Sequence, residues 1–163
     1  MSDMRSLNRR ALRSLISLAL LVGVASAAWA QRAHIGPRIG GNFDHDEALV
    51  GAHVSLPLTS WLDVYPSFNA YFPQLGTRLG FNADAKLRFP PTSNFQFYTG
   101  GGFGLLYRDI GGISDTDPGV NLLGGVDARI GRVHPFVEAR VGWHDNTMFQ
   151  LMTGLNFTLG GRR

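Results

Sequence analysis

The chain has no cysteine among its 163 residues. That absence excludes a disulfide framework, a thiolate metal site and a cysteine nucleophile. Charge is scarce at 17%, and its excess of one sign is confined to one segment. Arg5, Arg9, Arg10 and Arg13 stand against Asp3 in the first thirty residues, and from Gln31 onward eleven basic residues face eleven acidic ones. The pI near 9.8 therefore belongs to the leader, and the neutral remainder has no electrostatic footprint for nucleic acid. A long hydrophobic run is also missing. The stretch Leu15–Ala27 has 13 residues, whereas a membrane-spanning helix needs about 20. Glycine is abundant, with 21 residues, but lacks the every-third-residue period of collagen. After Gln31 no apolar repeat at helical spacing is sustained. An apolar share of 44% excludes a disordered chain.

The first thirty residues have the three parts of a secretory signal. Arg5 to Arg13 form a positive region, Leu15–Ala27 an apolar one, and Ala28-Trp29-Ala30 a small-x-small cleavage pattern. A mature chain starting at Gln31 is expected to leave the cytoplasm. Ala25-Ser26-Ala27 is a second cleavage pattern. Arg9-Arg10 matches a twin-arginine signal poorly, which favours general secretion.

Alternation is what recurs in the mature chain. In Thr77–Phe89, Leu79, Phe81, Ala83, Ala85, Leu87 and Phe89 oppose Arg78, Gly80, Asn82, Asp84, Lys86 and Arg88. A strict period of two over such a length marks a long strand. Trp61–Phe72, Val133–Trp143 and Phe149–Leu159 alternate in the same way, and four weaker segments (His34–Phe43, Glu47–Leu58, Phe95–Tyr107, Gly119–Ile130) are interrupted by glycine. Turn formers separate them. The expected fold is all-β, an eight-stranded antiparallel up-and-down barrel.

The two faces decide what the barrel's surroundings are. A soluble barrel of the lipocalin kind, or a sandwich, turns its apolar face inward, whereas a membrane barrel turns it toward lipid. Here the polar faces carry Arg38, Arg78, Lys86, Arg88, Arg129 and Arg140 against Glu47, Asp63, Asp84, Asp127 and Glu138. That near balance suits a lumen network of ion pairs, because an unpaired charge in a filled interior is costly. Aromatic residues gather at strand ends. Phe43, Phe72, Tyr107, Trp143 and Phe149 flank one set of connections, and Trp61, Phe89 and Phe95 the other, as two interfacial belts would require. Strands of roughly 10 to 14 residues are long enough to cross, since about 9 to 11 suffice. The inverted, transmembrane barrel is the preferred reading.

In these features residues 31–159 resemble the small outer-membrane β-barrel family of Gram-negative bacteria, which includes the barrel domain of outer membrane protein A and its attachment and invasion relatives. The most specific element is the last strand. Thr153-Gly154-Leu155-Asn156-Phe157-Thr158-Leu159 fits the family's assembly signal, polar–Gly–x–x–apolar–x–apolar, although Leu159 replaces the usual aromatic and four residues follow. The resemblance implies docking on the barrel-assembly machinery through Thr153, Gly154, Phe157 and Leu159. It also implies contact with outer-membrane lipid and lipopolysaccharide, and both termini in the periplasm. Residues 44–46, 73–76, 108–118 and 144–148 are then outer connections, with Arg108 to Pro118 the longest. No periplasmic domain is expected after the last strand.

Eight strands leave an interior about wide enough for side chains to fill, so a general diffusion pore is not expected. Some outer-membrane barrels of this size modify lipid A with a Ser, a His and an acid. His53-Val54-Ser55 puts a His and a Ser on one face, but that face is the lumen and the strand is the second. His134 and Glu138 lie about 13 Å apart along a strand at 3.3 Å per residue, too far to share an ion. Asp44, His45, Asp46, Glu47, Asp115 and Asp117 offer oxygen ligands without a calcium-loop spacing. The expectation is a structural or surface-interaction protein, without catalysis, cofactor or metal. The alternatives are a lipid A-modifying enzyme and a soluble periplasmic ligand-binding barrel.

Overall fold

The computed structural model describes residues 33–90 and 94–159. The signal-peptide reading of residues 1–30 lies outside them, as does the segment after Leu159. Eight strands follow one another: β1 His34–Asn42, β2 Glu47–Pro57, β3 Leu62–Phe72, β4 Thr77–Arg88, β5 Phe95–Ile110, β6 Ile113–Ala128, β7 Val133–Trp143 and β8 Thr147–Thr158. Each pairs antiparallel with its sequence neighbours, and β1 closes on β8 from His34↔Thr158 to Asn42↔Gln150. Closure leaves no open edge along the wall, so every ladder amide there has a partner without water.

The polarity of this barrel is inside-out. Among the described residues the buried set holds seventeen polar or charged side chains and ten apolar ones. The outer wall displays large apolar groups: Phe103 is 74% exposed, Leu122 and Ile39 58%, Phe81 50%. In β4 the buried positions are Gly80, Asp84 and Lys86, and Phe81, Ala83, Ala85 and Leu87 face out, as the alternation requires. A soluble lipocalin-like barrel or sandwich would have its apolar face inside, so this arrangement is that of a transmembrane barrel.

One expectation is corrected. The expected long connection from Arg108 to Pro118 is instead strand. β5 and β6 continue past Tyr107 and before Gly119, through Arg108↔Asp115 and Ile110↔Ile113, to a two-residue turn. Gly111 and Gly112 both have positive φ, at 63° and 85°, the backbone a tight twisted hairpin demands. The segment Ser114–Gly119 alternates poorly because it stands where no apolar face is needed. The pairing of β6 with β7 begins only at Val120↔Trp143. Residues 113–119 thus rise beyond β7 as about 20 Å of strand at 3.3 Å per residue.

Glycines on the inner face make room for aromatic side chains. A Cβ at Gly125 would lie 2.5 Å from the Tyr98 hydroxyl and one at Gly80 would lie 3.2 Å from the Tyr71 ring. At Gly154 a Cβ would run into the Pro37 carbonyl oxygen and lie 2.7 Å from the Phe136 ring. The neighbouring backbone cannot retreat without breaking the β1–β8 closure. Gly154→Ala should therefore lower stability by about 1–3 kcal/mol, as overpacking does. Denaturant titration of the chain folded in micelles measures this, and an unchanged midpoint would contradict the close packing.

Candidate functional site

The lumen is where chemistry-bearing side chains meet. Alternation sends every second residue of eight strands into one space. At its centre Glu138 of β7 is fully buried between two guanidinium groups. Arg140 Nη2 approaches Glu138 Oε1 at 3.3 Å and Asp84 Oδ2 at 2.8 Å, and Arg38 Nη1 lies 3.6 Å from Glu138 Oε1. Tyr98 donates to Glu138 Oε2 at 3.2 Å and Arg38 Nε donates to Asn69 Oδ1 at 2.8 Å. Asn69 and Gln150 converge on the Tyr71 hydroxyl. Lys86 Nζ sits over the Tyr98 ring at 3.8 Å and the Tyr65 ring at 4.5 Å, a cation–π arrangement that offsets part of its desolvation.

The two ends of the lumen differ. Toward the end bearing the termini, Arg88 pairs with Asp63 at 2.9 Å, and Ser55 donates to the same carboxylate at 2.5 Å. Asn156 bridges His53 and Asp127. Toward the opposite end Arg78 pairs with Glu47 at 2.7 Å, above an apolar layer of Leu49, Tyr71, Leu106, Met148 and Met152. Arg108 pairs with Asp117 and, at 3.5 Å, with Asp145. His144, in the connection between β7 and β8, lies beside this group.

The structure brings together most of the named charges: Arg38, Arg78, Asp63, Asp84, Arg88, Glu138 and Arg140 are in ion pairs. Asp127 has Asn156 as its partner, and Lys86 has two tyrosine rings. Arg129 departs from the expected network. β6 ends at Ala128, the Arg129 amide binds the Asn94 carbonyl, and its side chain is exposed at the rim without an ion-pair partner among the described residues. Arg108 and Asp117 lie outside the expected network, because their segment has the sequence character of a loop. Their alternation with Leu106 and Gly119 was the available signal.

The other named residues sit as follows. Phe43, Phe72, Trp143 and Phe149 are exposed at one end of the barrel, and Trp61, Phe89 and Phe95 at the other. Phe43 and Phe149 rings lie 5.9 Å apart. Tyr107 is half-buried within β5, opposite Leu79 and Thr116, rather than at a strand end. In the last strand Thr153, Phe157 and Leu159 face outward, Gly154 faces inward, and the Leu159 amide binds the Ala33 carbonyl at 2.7 Å. His53 and Ser55 share the lumen face, but Ser55 is bound to Asp63 and His53 to Asn156. No hydrogen bond joins the pair, so the geometry of a nucleophile and its base is absent from them. Asp115, Asp117 and Asp145 bring carboxylate oxygens within 4.8 Å of one another, with Arg108 among them.

No family model matches the sequence, and no curated protein resembles it in sequence. Solved structures match its fold. The N-terminal β-barrel domain of Pseudomonas aeruginosa OprF has a TM-score of 0.68 at 15% identity, covering 78% of this chain and 98% of that one. A de novo designed transmembrane β-barrel gives 0.59 at 12%, covering 78% and 94%. Neisserial surface protein A gives 0.57 at 15%, covering 77% and 94%. At these identities the likeness shows a shared fold, the eight-stranded transmembrane barrel.

Two outcomes test the lumen geometry. Glu138→Gln removes the anion between two buried cations and should destabilise by about 3–5 kcal/mol. Asp145→Asn, at a rim position 69% exposed, should change stability by only about 0–1 kcal/mol. Equal unfolding midpoints for the two variants would refute the central cluster. Burial and the nearby Arg108 hold the His144 pKa below 6.5. Its neutral form is thus favoured by folding, so its contribution turns unfavourable as pH falls below 6.5 and levels off below the folded value. An NMR titration should place its midpoint below 6.5.

Proposed function

We propose that this chain is an integral outer-membrane barrel whose lumen is a side-chain plug and whose activity is presented at the end opposite the termini. The observation that carries the plug is the central cluster. Arg38, Glu138 and Arg140 are each at most 1% exposed, and through Asp84 of β4 they span the lumen from the β1 and β7 side to the opposite wall. An ion crossing the barrel would have to displace these groups, and eight strands leave little room beside them.

The structural or surface-interaction role rests on the rim. The β5–β6 hairpin rises beyond β7 and exposes Ile110 and Ile113 at its tip, 57% and 80% accessible. Its β6 segment, residues 113–119, has free backbone amides and carbonyls on one side, guarded by Asp115, Asp117 and Pro118 in the manner of protected sheet edges. The expected placement of the termini in the periplasm puts this hairpin outside the cell. The role is non-catalytic in this reading, since Ser55 and His53 are each bonded to a separate lumen partner. Lipid, lipopolysaccharide and the assembly machinery are the partners that the location implies.

Gel mobility and conductance test the reading together. Unheated protein folded in micelles should migrate faster than boiled protein and be recovered in the outer-membrane fraction. Purified into a planar bilayer, it should show no steady ohmic current. A protein soluble without detergent would overturn the membrane assignment, and a large stable current would overturn the plug alone.

A further inference from the structure

The barrel ends in a polar vestibule on the side of its termini. Every strand contributes to its wall. Five of the lining residues carry formal charge: Lys86, Arg88 and Arg129 against Asp63 and Asp127. The carboxylates are engaged. Asp63 takes hydrogen bonds or ion pairs from Ser55 and Arg88, and Asp127 accepts from Asn156. The cations are not fully engaged. Lys86 is 2% exposed yet has no carboxylate within 4.0 Å among the described residues, only the two tyrosine faces. Arg88 Nε is buried without a hydrogen-bond partner, and Arg129 stands unpaired at the mouth.

A buried ammonium flanked by rings alone is desolvated at a cost that cation–π attraction offsets only in part. Lys86 also lines the cavity. The Arg88 and Arg129 guanidinium groups and the imidazole of His34 line the same cavity. His134 lines the cavity as well, with its Nε2 engaged by the Gly131 carbonyl at 3.1 Å. Such a set of charged and planar donors around an open cavity matches a tetrahedral or planar oxyanion, whose several oxygens accept from different directions. The described residues place no group of three metal-ligating side chains here, which argues against a cation.

We propose that this vestibule is a binding site for a small oxyanion, seated on Lys86 and closed at its mouth by Arg129. The site does not depend on which side of the membrane it faces. Phosphate and carboxylate share the chemistry, and the test separates them.

The test uses the chain folded in uncharged detergent micelles, with folding verified by the heat-dependent gel shift. Inorganic phosphate, acetate and chloride are titrated at constant ionic strength and followed by calorimetry and by the chemical shifts of His34. One-to-one saturable binding of phosphate is expected, and acetate binding instead would assign the site to carboxylates. Lys86→Met should weaken binding at least tenfold. Arg129→Gln, a rim substitution that leaves the barrel's interior intact, should weaken it severalfold. Arg78→Gln at the opposite end should leave it unchanged. Absence of saturable uptake, uptake of chloride alone, or equal affinity in the Arg129 variant would overturn the proposal even if the Lys86 variant failed to fold.

Discussion

The structure depends on one carboxylate shared between two guanidinium groups. Glu138 lies on β7, Arg140 two residues further along the same strand, and Arg38 on β1, on the other side of β8. The strands that meet at this point include the pair flanking β8, so the cluster ties together the region where the barrel closes. A lumen too narrow for bulk water cannot hydrate these groups. Each charge must then be answered by another side chain, and the position of one fixes those of its neighbours. Asp84 answers the second face of Arg140, Tyr98 the second oxygen of Glu138, and Asn69 the Nε of Arg38.

That requirement spreads toward both ends. Lys86 has no carboxylate at contact distance and is held by Tyr65 and Tyr98, whose bulk in turn needs Gly125 beside it. Glycine is frequent in this chain partly for that reason: large lumen side chains lie across neighbouring strands, and a Cβ beneath them has no space. The outer wall is under a different constraint. It needs only apolar surface of the right height, which is why its residues range from Ala83 to Phe103 without a fixed partner. A likeness in fold at 12–15% identity is the natural result, since backbone closure and face polarity can be met by many sequences.

The strands most legible in the sequence were those with both constraints at once. The pattern of β7 gives its observed bounds, Val133–Trp143, because polar and apolar residues alternate along its whole length. At the hairpin β5 and β6 run several residues beyond what their patterns predict. Beyond the wall neither face meets lipid, so Ser114, Asp115, Thr116 and Asp117 carry no hydrophobic signal, and Gly111-Gly112 looked like the middle of a loop rather than a turn. Arg129 failed for the opposite reason. It continues the alternation of β6 but lies one residue past the last ladder pair, where the side chain stands at the exposed mouth of the vestibule.

What the sequence by itself determined was the class: period-two patterning, near-balanced charge on one face and aromatic residues at strand ends define an inverted barrel through short-range chemistry alone. Which charges meet was decided only by the tertiary structure. Arg38 and Glu138 are a hundred residues apart, and neither strand pattern nor spacing relates them. Their pairing follows from ring closure, because the stagger of each ladder accumulates around the barrel and sets which side chains share a level. The same closure made the vestibule at the end bearing the termini, since residues from eight strands reach one wall only when the last strand returns to the first.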